Sequence, residues 1–117
     1  RVVECAGGAA VALPAPISLG GLAALHQRAR VVVATDSGPL HLAAAVGAPV
    51  VGLYGPSDPA VFGPLAPAAR ARVVRVSLPC SPCGLVIDPP CGAMEHPACV
   101  IGVDVGSMLA AVAAVLR

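Results

Sequence analysis

The polar residues best suited to chemistry lie together in one short stretch of an otherwise apolar chain. Asp36, Ser37 and Gly38 are followed by Pro39, and His41 comes two positions later. A helix starting near Pro39 would offer free backbone amides and a partial positive charge, which suit a phosphate. Ser37 adds a hydroxyl donor, His41 leans back toward the helix start, and the Asp36 carboxylate can accept from sugar hydroxyls. The pattern favours a phosphorylated sugar or a nucleotide as ligand.

The same residues also have a purely structural interpretation. An Asp-Ser-Gly turn before a helix is often only a cap, and a single histidine in an alanine-rich helix is more often structural than a ligand contact. The chain contains no phosphate-binding loop of the Gly-Lys-Ser/Thr type and no G-x-G-x-x-G pattern. By spacing alone, a helix cap and a phosphate site both remain open.

The elements that would position these residues form a strand-helix-strand unit. Apolar runs at 31–34 and 50–54 predict two strands, and a helical pattern at 39–46 lies between them. Continuous apolar runs are typical of parallel strands covered on both faces. The carboxyl ends of such strands share one edge, where ligands bind. We therefore predict an α/β fold, a Rossmann-like parallel sheet with flanking helices, with Thr35 and Asp36 near Ser57 and Asp58.

Further elements flank this unit. Ser18 is placed to cap a preceding helix. The expected inner face of that helix consists of residues at helical spacing, namely Leu19, Leu22, Leu25 and Ala29. Strand-like sequence returns at 70–77, and a last helix begins at Asp104 or Ser107. This last helix is apolar on every face, which is typical of a buried helix, but the chain itself offers little mass to bury it.

Composition narrows the function classes. The chain has 117 residues, enough for one domain, with 57% hydrophobic and 11% charged residues and a formal net charge of +1. One Tyr, one Phe and no basic patch argue against nucleic acid as a partner. No apolar run reaches the roughly 20 residues of a membrane-spanning helix. The low fraction of charged residues indicates that part of the apolar surface contacts another molecule or another part of the protein.

A fuller signal comes from the stretch DSGPLHLAAAVGAPVVGLYGPSDP, the later GP and the cysteine-rich segment ending in CVIG. Together they resemble the C-terminal half of glycosyltransferase family 9, the heptosyltransferase family of lipopolysaccharide synthesis. The family pattern is Asp-Ser/Thr-Gly-x-x-His-x-Ala-Ala, then a strand and Gly-Pro-Thr/Ser-x-Pro. The matching residues are Asp36, Ser37, Gly38, His41, Ala43, Ala44, Gly55, Pro56, Ser57 and Pro59.

The resemblance implies a GT-B architecture, with two Rossmann-like halves and the active site between them. The C-terminal half binds the nucleotide-sugar donor, which is ADP-heptose in the best-known members. Residues 1–117 would be part of this donor-binding domain, with a Cys-rich loop at 79–99 and a terminal helix at about 105–116 that packs toward the other half. The implied donor-binding residues are Asp36, Ser37, Gly38 and His41, with Pro39 and Leu40 behind them at the helix start.

The family transfers the sugar with inversion and without a metal or cofactor, and its general base lies in the N-terminal half. That half and the first strands of the C-terminal half are not in this sequence, which begins with Arg1 and is expected to be part of a longer protein. We expect a glycolipid or glycan acceptor and a cytoplasmic enzyme, peripheral to the inner membrane. The alternative is a non-catalytic module that binds a nucleotide or phosphosugar, or a truncated remnant.

Four cysteines form the pattern C-x2-C-x7-C-x7-C. They are Cys80, Cys83, Cys91 and Cys99, with His96 nearby. Four thiolates could hold a structural zinc, although the second pair lacks the usual close spacing. A cytosolic nucleotide-sugar donor implies a reducing compartment, which argues against lasting disulfides. Reduced thiols in a loop are the preferred interpretation, and no metal is assigned.

Overall fold

Three short parallel strands form the centre of the structure, a computed structural model that describes residues 1–13, 16–85, 87–89, 91 and 97–117. The strands are β1 (Val32–Thr35), β2 (Val50–Leu53) and β3 (Ala71–Val74), and they pair in chain order. Val32 lies opposite Val50, and Val50 lies opposite Ala71. The prediction of an α/β, Rossmann-like parallel sheet with flanking helices is confirmed.

Helices connect and flank these strands. They are α1 (Val2–Cys5), α2 (Leu19–Arg28), α3 (Gly38–Ala45), α4 (Pro59–Phe62), α5 (Ala98–Ile101) and α6 (Val105–Val115). α3 joins β1 to β2 and packs on both strands, while α2 packs on α3. α6 packs against β2 and β3. Because each parallel connection must return the chain to the same end of the sheet, β1 and β2 both end at the edge where α3 begins.

The core lies between α3 and the sheet. Leu40 and Ala43 of α3 are fully buried, as are Val50 of β2 and Tyr54, which follows β2. Small residues such as Ala44 let the helix approach the strands closely, which is how a short helix can bury its inner face completely. This packing fixes the beginning of α3 relative to the ends of β1 and β2.

The opposite face of the sheet is covered unevenly. Successive residues of a strand point to opposite faces, so Val51 of β2 faces away from the α3 side. Val51 is fully buried and lies outside the core cluster, consistent with α6 packing on β2 and β3. Val33 of β1 shares that face and is half exposed. Helix α6 therefore covers this face of the sheet at β2 and β3 but leaves β1 partly exposed to solvent.

Helix α2 is capped as expected, but the face that it buries differs from the expected one. The Ser18 hydroxyl oxygen accepts from the Gly21 amide at 3.1 Å. Leu19 and Leu25 are exposed, whereas His26 is buried, so the expected inner face is wrong at two of its positions. The reason is that α2 packs mainly on α3, and a contact with a single helix covers only a narrow strip.

Most of the last helix is exposed within the described residues, so this chain alone does not bury it, and the expectation that it packs toward the other half of the protein stays a prediction. Val105 is 73% exposed and Leu109 63%, and Val115 is its one buried residue in that part of the chain. A three-stranded sheet offers α6 only one surface to pack on. Asp104 caps the helix by accepting from the Ser107 amide at 2.9 Å, and hydrogen bonding from the Ser107 side chain lowers the pKa of Asp104. None of the described helices is long and apolar enough to cross a membrane.

Candidate functional site

An open cleft lies at the carboxyl ends of β1 and β2. Its volume of about 130 Å³ is smaller than the roughly 300–1,000 Å³ of typical ligand pockets. Its lining residues come from both strand ends and from α5, and they are Thr35, Asp36, Leu53, Gly55, Pro56, Ser57 and Val100. The structure thus brings together Thr35, Asp36 and Ser57, which the sequence placed after two different strands.

Asp36 and His41 form a pair beside this cleft. The Asp36 amide donates to the Leu53 carbonyl at 3.1 Å, which ties the end of β1 to β2. Asp36 Oδ1 lies 3.4 Å from His41 Nε2. The two side chains are 23% and 42% exposed, so both are accessible to a ligand. The pair offers one carboxylate acceptor and one imidazole at the same point.

The start of α3 has fewer free donors than the sequence suggested. Ser37 occupies the N-cap position, but its hydroxyl donates back to the Thr35 carbonyl at 3.0 Å and does not cap the helix. Pro39 has no amide hydrogen, and the Leu40 amide donates to the Ser37 carbonyl at 3.0 Å. Within the described part of the chain, this leaves the Gly38 amide as the open donor of the first turn.

Pro39 and Leu40 lie behind the polar residues. Pro39 is exposed at the first turn, and Leu40 is fully buried in the core. The Leu40 side chain therefore cannot contact a ligand in the cleft, and it supports the turn from below. Asp58, the other carboxylate near this edge, is engaged locally, because its Oδ1 accepts from the Ala60 amide at 2.9 Å and caps α4.

The far wall of the cleft comes from the segment after β3, which sequence reasoning did not assign to the site. Ser81 Oγ donates to the Gly55 carbonyl at 2.8 Å, and the Gly84 amide donates to the Pro56 carbonyl at 2.8 Å. Val100 packs so closely on Gly55 that a Cβ atom there would lie 2.5 Å from Val100 Cγ2. The signal in the sequence was Gly55 itself, which leaves room for a neighbouring side chain.

Tyr54 is a second residue that sequence reasoning missed. It is fully buried beneath the first turn of α3, and its hydroxyl donates to the Phe62 carbonyl at 2.7 Å. Burial, followed by the charge and hydrogen bonding of Asp36, raises the pKa of Tyr54 to about 12. The Tyr54 hydroxyl therefore joins the end of β2 to the end of α4.

The cysteines do not form a metal site in the part of the chain that the structure describes. Cys80, Cys83, Cys91 and Cys99 are free thiols, and no group of three or more His, Cys, Asp or Glu residues there is arranged to hold a metal ion. Burial raises the pKa of the Cys99 thiol. His96 lies outside the described residues.

The fold and the cleft define a Rossmann-like α/β domain with a candidate ligand site at the carboxyl edge of its sheet. Residues 1–87 match the family model described as "Glycosyltransferase family 9 (heptosyltransferase)", and the chain belongs to this family. The expectation drawn from the Asp-Ser-Gly-x-x-His stretch is therefore confirmed at the level of the family.

Curated relatives agree with this assignment. The chain is 40% identical over 68 residues to lipopolysaccharide heptosyltransferase 1 of Pseudomonas aeruginosa, covering 57% of this chain and 18% of the relative. It is 47% identical over 47 residues to lipopolysaccharide heptosyltransferase 2 of Escherichia coli, covering 40% of this chain and 13% of the relative. The chain thus spans less than a fifth of the length of these relatives. No solved structure matches it.

Proposed function

We propose that this chain is the donor-binding part of a heptosyltransferase-type glycosyltransferase and that its cleft binds the diphosphate and sugar of a nucleotide-sugar donor. The observation that carries the proposal is the Asp36–His41 pair, which lies 3.4 Å apart beside an open cleft at the carboxyl edge of the sheet. Ligands of open α/β folds bind at this edge. Family membership supports sugar transfer as the reaction class.

The diphosphate would bind at the start of α3. The open Gly38 amide and the positive end of the helix dipole both favour an anion there, and His41 adds a donor when its Nε2 is protonated. Asp36 repels phosphate by charge, so we assign it to the sugar hydroxyls, which can donate to its carboxylate. Ser37 would help only through the backbone conformation of the turn, because its hydroxyl already donates to the Thr35 carbonyl.

In the proposed reaction an acceptor hydroxyl displaces the diphosphate directly at the anomeric carbon, with inversion. The bond from the acceptor oxygen to the anomeric carbon forms as the bond to the leaving phosphate oxygen breaks. The helix start and His41 would stabilise the negative charge that develops on the diphosphate. A general base from outside this chain would take the proton from the acceptor hydroxyl.

The remaining parts of the proposal follow the relatives. Their names state that they act on lipopolysaccharide and transfer heptose. By analogy, we assign this chain an ADP-heptose-like donor and a glycolipid or glycan acceptor. Residues 1–117 would form part of the C-terminal half of a GT-B enzyme on the cytoplasmic side of the inner membrane, with the loop at 79–99 and the helix at about 105–116 as features of that domain.

Calorimetric titration of the chain with ADP, UDP and GDP tests the donor site. One nucleotide is expected to bind, and His41→Ala is expected to weaken its binding. Asp36→Ala is expected to weaken binding of the corresponding nucleotide sugar, because Asp36 is assigned to the sugar hydroxyls. Glu4→Gln is the control, because Glu4 is an exposed carboxylate far along the chain from the cleft. Circular dichroism of each variant confirms that it is folded. Equal affinities for all variants would contradict the site.

A further inference from the structure

We infer that Ser81 is a positioning residue of the proposed donor site, because its hydroxyl holds the turn that forms one wall of the cleft. This turn follows β2 and consists of Gly55, Pro56 and Ser57, all of which line the cleft. The effect of Ser81 on ligand binding rests on the proposed function. Its contact with the turn does not depend on that function.

The turn is anchored at both of its ends. Just before it, the Tyr54 amide donates to the Val74 carbonyl of β3 at 2.9 Å. Just after it, Asp58 caps α4 by accepting from the Ala60 amide at 2.9 Å. Neither contact fixes the three residues between these ends, and the glycine among them has more backbone freedom than other residues. The middle of the turn therefore needs support from another part of the chain.

That support comes from residues 78–84, which follow β3. Ser81 Oγ donates to the Gly55 carbonyl at 2.8 Å, and the Gly84 amide donates to the Pro56 carbonyl at 2.8 Å. Gly55 is buried, so losing the Ser81 hydroxyl would leave its carbonyl without this partner where water has little access. Two consecutive carbonyls of the turn are thus held by the same segment.

Ser81 is itself held in place. Its amide donates to the Leu78 carbonyl at 3.0 Å, and these two residues form an antiparallel bridge. On the turn that it contacts, Val100 packs so closely that a Cβ atom on Gly55 would lie 2.5 Å from Val100 Cγ2. Gly55 therefore has a hydroxyl donor on its carbonyl and an apolar side chain against its α carbon, which leaves its backbone little room to move.

Ser57 is the residue of the turn through which Ser81 would act on a ligand. It is half-buried and lines the cleft together with Asp36. Within the described part of the chain, neither its amide nor its hydroxyl donates to another protein group. Two open donors suit the oxygens of a diphosphate or a sugar. A turn that is already held in position lowers the entropic cost of binding such a ligand.

Titration calorimetry with ADP, UDP and GDP, and with the nucleotide sugar of whichever nucleotide binds the wild type, tests the inference. Ser81→Ala is expected to weaken the tightest of these affinities about fivefold to tenfold. Ser81→Thr keeps a hydroxyl and is expected to restore most of the affinity. Ser107→Ala is the matched control, because it removes a serine hydroxyl that bonds Asp104 at the start of α6, outside the cleft lining. Its affinity is expected to equal that of the wild type.

A double-mutant cycle separates positioning from a general loss of stability. If Ser81 acts through the Ser57 side chain, Ser57→Ala weakens binding, and adding Ser81→Ala weakens it little further. A merely structural role would give additive losses. Unchanged affinity in folded Ser81→Ala, or additive losses in the double variant, would overturn the inference.

The carbonyl carbon resonance of Gly55 tests the contact in the absence of any ligand. It is expected to shift in Ser81→Ala, to return toward the wild-type position in Ser81→Thr and to stay unchanged in Ser107→Ala. An unchanged resonance in Ser81→Ala would show that the hydroxyl does not hold the turn and would also overturn the inference. If the wild type binds none of the nucleotides or nucleotide sugars, the proposed function fails, and this resonance still decides whether Ser81 holds the cleft wall.

Discussion

Asp36 Oδ1 and His41 Nε2 lie 3.4 Å apart beside the cleft, although Asp36 is the first residue after β1 and His41 lies in the following helix. The Asp36 amide is tied to the Leu53 carbonyl, and His41 is carried by a helix whose inner face is fully buried at Leu40 and Ala43. The pair is therefore oriented by the backbone of two strands and by the core. This arrangement is the basis for the predictions below.

Gly55 is expected to be intolerant of even one added methyl group. Gly55→Ala places a Cβ atom 2.5 Å from Val100 Cγ2, so Val100 must shift or the turn after β2 must move. We expect the free energy of unfolding to fall by about 1–3 kcal/mol, the usual cost of overpacking a tight site. Chemical denaturation measures the change.

The double variant Gly55→Ala with Val100→Ala identifies the cause. If the clash with Val100 is responsible, removing its γ-methyl groups restores part of the stability lost in Gly55→Ala, giving a favourable coupling energy. Additive losses in the double variant would instead show that the cost lies in the backbone of the turn.

Leu40 supports the site from the core and is expected to be costly to truncate. The Leu40 side chain is fully buried, and it lies with the Tyr54 ring above Gly52. Leu40→Ala should lower the free energy of unfolding by about 2–5 kcal/mol through lost burial and a residual cavity. Leu25→Ala is the control, because Leu25 is 44% exposed and its loss should cost much less. Equal losses in the two variants would contradict the assigned core.

Alkaline pH is expected to destabilise the fold through Tyr54. Its pKa is about 12 in the folded chain, against an ordinary value of 10.0, so the unfolded chain loses this proton first as the pH rises. The contribution of Tyr54 is fully present below pH 10 and is lost between about pH 10 and 12; a pKa difference of about two units corresponds to about 3 kcal/mol of stability. Denaturation across this range measures the loss.

Tyr54→Phe is the control for this pH dependence, because phenylalanine does not ionise. The variant is expected to lack the component of the stability decrease that Tyr54 contributes between pH 10 and 12. A wild-type curve that parallels the Tyr54→Phe curve throughout this range would mean that burial and Asp36 do not hold the tyrosine in its neutral form.

Much of the fold could be predicted from local sequence. The apolar run at 50–54 predicts β2 to within one residue, and Pro39 marks the first turn of α3, which spans Gly38–Ala45. Asp104 was one of two candidate caps for the last helix and is the one observed. These features depend on residues close in sequence, so periodicity and capping are sufficient to locate them.

The parts that sequence could not predict depend on distant contacts. The inner face of α2 is decided by how it meets α3, which places His26 inside and Leu19 outside. Val100 reaches the cleft only because the chain returns to Gly55 after 44 intervening residues. The direction of the Ser37 hydroxyl toward Thr35 reflects a choice among local acceptors that composition does not determine.

The most direct test of the central claim is an amide NMR titration of the chain with ADP, UDP and GDP. The account predicts that one nucleotide shifts the Gly38 amide strongly, because this is the open donor at the start of α3, together with amides near Asp36 and Ser57 in the cleft. Amides of α1, far along the chain, should not move. Shifts centred away from the carboxyl ends of β1 and β2 would contradict the account.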